Sequence, residues 1–150
     1  MMSEANQEAV ADATPDLLDT LVGIAGDGPL AALRRQRAEI AGFIQGSYDA
    51  LLEPDDEAGV TRAERGLIAL RVAVLEESAP LIEHYRAYVA RAGVPTEMVA
   101  AAAAARLDAP LPPRLLALLA HVDRLTREPA AATPEHLAEL KTHGLSDANI

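Results

Sequence analysis

Five side chains capable of acid–base chemistry fall in one short stretch: Glu64, Glu76, Glu77, Glu83 and His84. A carboxylate and an imidazole facing each other across a break between two helices could relay protons. Histidine titrates near neutral pH, and a carboxylate partner raises its pKa. The plainer reading of the same residues is structural. Glu64 caps a helix, Glu76 and Glu77 solvate the break, and Glu83 and His84 sit on a wet helix side beside the face marked by Tyr85 and Tyr88. On spacing alone the plainer reading has the better case.

Other chemistries find less support. The four histidines, at 84, 121, 136 and 143, are never three or four residues apart, so no HxxxH or HExxH metal pattern exists. His136 and His143 recur two turns apart, about 10 Å along a helix, too far to share one ion. Ser3, Ser47, Ser78 and Ser146 all lack the GxSxG elbow. Neither Gly-rich phosphate loop is present, so no cofactor is expected. The chain has no cysteine, which excludes a disulfide framework, a thiolate zinc site and thiol catalysis.

The elements that carry these residues read as helices. Half of the 150 residues are apolar, yet only Phe43, Tyr48, Tyr85 and Tyr88 are aromatic. Such an Ala- and Leu-rich chain favours helix over strand. A first helix opens at Asp16 and stops at AGDGP. A second spans about Pro29 to Leu52, with Leu33, Ile40, Ile44, Tyr48 and Leu51 forming one apolar stripe. Gly42 and Gly46 share a face there and mark either a close backbone neighbour or tolerated glycine.

Thr61 and Glu64 fit a capping box ahead of a helix apolar on most sides, which makes Thr61–Leu75 the central one. Arg71, its one interior charge, must reach an edge or a carboxylate. Pro80 opens the next helix and Gly93 ends it. Helices follow from Thr96, from about Pro113 to Arg127, and from Pro134 to Gly144. Leu145 and Ser146 look like the entry and cap of one more, so the expectation is either a sequence cut before a final helix or an eighth helix that has been lost.

The spacing therefore predicts an all-α bundle of about seven helices. A loose segment covers residues 1 to 15, and a single domain runs from 16 to 150. The net charge of −10 disfavours nucleic acid and anionic membrane surfaces as partners. The cluster Arg34, Arg35 and Arg37 reads as a solvated face. No signal-peptide layout or membrane-length apolar run appears, so a cytoplasmic protein is the expectation.

The run AERGLIALRVAVLEESAPLIEHYRAYVARAG resembles the core motif of the carboxymuconolactone decarboxylase and alkylhydroperoxidase AhpD-like superfamily. Members typically carry Glu-Arg early in an apolar helix, then CxxC opening the next helix, then a His four residues beyond the second Cys. The tail LTREPAAATPEHLAELKTHGLSDANI is similar to the closing part of peroxidase-related members. The resemblance extends from about residue 15 and is nearest to proteins known as CMD domain proteins.

It implies an AhpD-like helical layout and a homo-oligomer, since members are commonly trimers or larger rings. It also marks Glu64, His84 and Glu77 as candidate catalytic or pocket residues. Placing His84 on the family His puts Glu77 and Pro80 on the two cysteines. Placing Glu64 on the family Glu shifts them to Glu76 and Ala79. No register supplies a sulfur, so thiol peroxidase activity is not expected. Two functions stay open: a small-molecule pocket with non-redox, decarboxylase-like acid–base chemistry, or a non-catalytic module that oligomerises or supports a cysteine-bearing paralogue.

Overall fold

The computed structural model describes residues 17–24 and 26–150. The expected loose segment at residues 1 to 15 and the Asp16 cap lie outside them. Among the described residues there are eight α-helices, a short 3-10 turn at Pro129–Ala131, and no strand. The fold is all-α, as the helical periodicities require. No helix among the described residues is long and apolar enough to cross a membrane. The chain divides into two compact units, Met1–Ser47 and Tyr48–Ile150.

The first unit holds α1 (Leu17–Val22), α2 (Pro29–Arg35) and the first turns of α3 (Ala38–Leu52). Pro29 starts α2 where its missing N–H costs nothing. The single helix expected from Pro29 to Leu52 is two. Between them the backbone tightens: Gln36 N–H donates to Leu33 O and Arg37 N–H to Arg34 O, the three-residue spacing of a 3-10 turn. No Gly or Pro marks this place, so periodicity alone reads straight through it. Arg34 forms an ion pair with Asp19, and Arg35 Nη1 donates to the Gly26 carbonyl at 2.7 Å.

Of the apolar stripe of this stretch only Tyr48 packs against a buried cluster. Leu33, Ile40, Ile44 and Leu51 are exposed, and Phe43 beside them is 72% exposed. A Cβ built on Gly42 or Gly46 meets no described atom within 4 Å, so of their two readings tolerated glycine applies.

The second unit is built on α4 (Arg62–Leu75), whose closest packing partners are α5 (Ala79–Arg91) and α7 (Pro113–Arg127). Thr61 and Glu64 form the expected capping box. Leu67, Leu70 and Ala73 of α4 are buried, and Leu67 and Leu70 join Leu52, Tyr88, Val89, Val99, Ala102, Leu115 and Leu119 in the main core. A second cluster, Val60, Leu118, Leu140 and Leu145, sits under α8 (Pro134–Thr142). A close approach occurs instead at Gly66, where side chains of α5 press on the glycine and a Cβ would stand 2.7 Å from both the Tyr88 ring and Val89 Cγ1. Tyr88 also donates its hydroxyl to Leu52 O at 2.5 Å.

The helix α6 (Thr96–Ala102) ends before the alanine run does. The terminal carbonyls of a helix need partners, and here Arg71 reaches in: its Nη1 donates to Ala102 O at 3.2 Å and Ala104 O at 2.5 Å. Beyond α8, Leu145 enters the second cluster, and Ser146 N–H donates to Asn149 Oδ1 at 2.9 Å in a final turn.

Candidate functional site

Glu64 stands at the third position of α4 because the capping box demands it there. Its Oε2 accepts from Thr61 N–H at 2.9 Å, while its own N–H donates to Thr61 Oγ1 at 3.1 Å. Its Oε1 accepts from Arg114 Nε at 2.7 Å. Arg114 extends the link, donating to Gly59 O at 2.6 Å and His143 O at 3.1 Å. Burial alone would raise the Glu64 pKa, but the bonds from Arg114 and Thr61 outweigh it and hold the carboxyl below its usual value. Both oxygens are therefore engaged in joining the start of α4 to the start of α7. A cavity of about 300 Å³ opens beside them, walled by Leu67, Val94, Pro95, Met98 and Leu115.

His84 lies one turn into α5 and points to a different partner. Its Nε2 is 2.9 Å from the Tyr48 hydroxyl, and the Tyr85 ring meets it edge-on at 5.0 Å between centroids. Burial, with Arg91 adding to it, holds the imidazole below its ordinary pKa. Burial also pushes Tyr48 up to about 12, with Tyr85 contributing. Both shifts favour the uncharged forms, so the pair is a neutral hydrogen bond between α3 and α5.

Glu77 is exposed and sits at φ +54°. Its N–H donates to Val74 O, and Ser78 N–H donates to Ala73 O. This is the paired bonding of a Schellman motif, with Glu77 in the left-handed position. The same pattern closes α5 at Gly93 and α8 at Gly144. At α4 the position usually given to glycine holds a glutamate.

The three predicted site residues thus have three separate settings. Glu64 lines the same cavity as Ala92 to Pro95, eight or more residues beyond His84 on the α5 side, roughly 12 Å along a helix axis. No hydrogen bond joins any two of the three, and the carboxylate of Glu64 is paired with Arg114. Sequence reasoning missed Arg114 and the role of Tyr48, which had read as a member of the apolar stripe. Among the described residues no three His, Asp or Glu side chains gather as metal ligands would.

Comparison with protein-family models and with curated proteins finds no match for this chain.

Proposed function

We propose that this chain is a cysteine-free AhpD-like helical module whose role is assembly, and that it self-associates through α2 and the start of α3. The observation that carries this reading is the exposed apolar face there. Leu33 is 59% exposed, Ile40 48%, Phe43 72% and Ile44 40%. Ile40, Phe43 and Ile44 recur at helical spacing on one side of α3, and Leu33 and Ile40 line one groove.

Together these side chains offer on the order of 400 Å² of apolar surface, within the range of the largest patches on monomers, which are often functional. A symmetric pair would remove about 800 Å² before any rim is counted, against the ~1,200 Å² at which specific interfaces begin. Charge also permits a second copy. Over residues 17–47 the acids Asp19, Asp27 and Glu39 match Arg34, Arg35 and Arg37. The remaining residues carry the whole −10, so residues 17–47 themselves add no net charge against a second copy.

Sedimentation velocity at tens of micromolar tests the reading. A dimer or larger species is expected, with Phe43→Ser and Ile44→Ser giving monomers of unchanged helicity. Wild type that sediments only as monomer overturns it.

A second reading has one observation in its favour. The Tyr48–His84 bond puts a neutral imidazole and a phenol in contact, groups suited to non-redox acid–base chemistry on a bound small molecule. His84→Ala should then abolish turnover or binding once a ligand is found by screening. A variant that binds that ligand like wild type removes this reading.

A further inference from the structure

A cavity of about 520 Å³ lies in the second unit, away from Glu64, His84 and Glu77. It is walled by His121 and Leu125 of α7, Pro134 and Leu137 of α8, and Asp147 and Ile150. Its volume falls in the range of small-molecule sites, which combine apolar walls with a few polar groups.

His121 is the polar group that matters. Its Nδ1 is buried and has no hydrogen-bond partner, whereas its Nε2 is not buried and makes no bond within the protein. A buried N–H left unpaired is among the rarest arrangements in folded proteins. A proton on Nδ1 would create one, so the proton belongs on Nε2. Burial, with Arg124 and His136 adding to it, holds the ring below its ordinary pKa and keeps it neutral at pH 7. His121 therefore brings one N–H donor to a site whose walls are otherwise mostly apolar. Asp147, ion-paired with Lys141 at the edge, and the net charge of −10 disfavour an anion.

We infer that this cavity binds a small uncharged molecule with an apolar body and one hydrogen-bond acceptor, such as a ketone, held by His121 Nε2. The inference is independent of self-association, since its residues lie on α7, α8 and the turn after α8.

The probe is a neutral, ketone-bearing dimethylaminonaphthalene dye whose emission shifts to the blue in apolar surroundings. Saturable binding with a blue shift is expected. His121→Phe keeps the ring and removes the donor, and should weaken binding by roughly five- to tenfold, the worth of one net hydrogen bond. Ala132→Phe, at an exposed cavity residue, should block binding while leaving the melting temperature near wild type. An anilinonaphthalene sulfonate of similar size should bind more weakly than the ketone. The inference is overturned by an absence of saturable binding, by unchanged ketone affinity in either variant, or by the sulfonate binding as tightly as the ketone.

Discussion

Arg71 and Asp123 meet through two parallel hydrogen bonds, Nε to Oδ1 at 2.5 Å and Nη2 to Oδ2 at 2.6 Å, and the arginine is fully buried. The same guanidinium closes the end of α6 through Ala102 and Ala104. One side chain of the central helix therefore fixes α6 and α7 against α4. A buried charge, here with four of its five N–H donors directed, is stable only while its partner is present.

Asp123→Ala should accordingly be costly. Removing the acceptor leaves a buried cation uncompensated, and about 3 kcal/mol of stability should be lost. The double variant Arg71→Met/Asp123→Ala should lose less than Asp123→Ala alone, because no charge is stranded. Urea denaturation of the four proteins gives the cycle. Asp123→Ala within ~1 kcal/mol of wild type would show that the pair does not hold these helices.

Glu77→Gly should stabilise the protein. The left-handed backbone costs a non-glycine residue roughly 1–2 kcal/mol, and α5 and α8 close the same motif with Gly93 and Gly144. Part of that gain is offset by the greater freedom of glycine in the unfolded chain, leaving about 1 kcal/mol, or 2–4 °C in melting temperature. A melting temperature that falls would mean that the Glu77 side chain makes a contribution its exposed position does not reveal.

What the sequence disclosed and what it hid divide by distance along the chain. The Thr61–Glu64 box, the central helix behind it and the Pro113–Arg127 boundaries of α7 follow from capping, proline and periodicity, which act within a few residues. The partners of the candidate site residues do not. Tyr48 and His84 are 36 residues apart, Glu64 and Arg114 are 50, and Arg71 and Asp123 are 52. Only the packing of α3, α4, α5 and α7 brings them together. The demand that Arg71 reach a carboxylate or an edge was legible from its apolar surroundings; which carboxylate was not. The break between α2 and α3 was hidden for another reason: Gln36 and Arg37 are ordinary helix formers.

The two kinds of helical glycine should respond with opposite signs. Gly66→Ala places a methyl 2.7 Å from Tyr88 and Val89 on a buried face, and overpacking of this kind costs about 1–3 kcal/mol. Gly42→Ala adds a methyl in open space on α3 and should gain up to roughly 1 kcal/mol of helix propensity. Thermal melts of the two variants on opposite sides of wild type are expected. A stable Gly66→Ala protein would contradict the close approach of α4 and α5.

Stability should also narrow from both ends of the pH scale through the Tyr48–His84 pair. His84 has a folded pKa below its ordinary 6.5. As pH falls, the unfolded chain takes up the proton first, so stability is intact above 6.5, declines below it, and levels off once the folded ring also titrates. His121 acts in the same direction. Glu64, also held low, adds its loss only below its ordinary 4.5, so its contribution starts to fade at a lower pH than that of the histidines. Tyr48 titrates at about 12 in the fold against 10 when free. The unfolded chain therefore loses that proton first as pH rises, and the contribution fades from 10 upward. Urea midpoints across pH should show a decline beginning near 6.5, made shallower by His84→Gln. A ring-proton NMR titration gives the direct measurement. If His84 titrates at or above 6.5 in the folded protein, the ring is not held neutral by burial, and both the pH profile and the neutral pairing with Tyr48 are wrong.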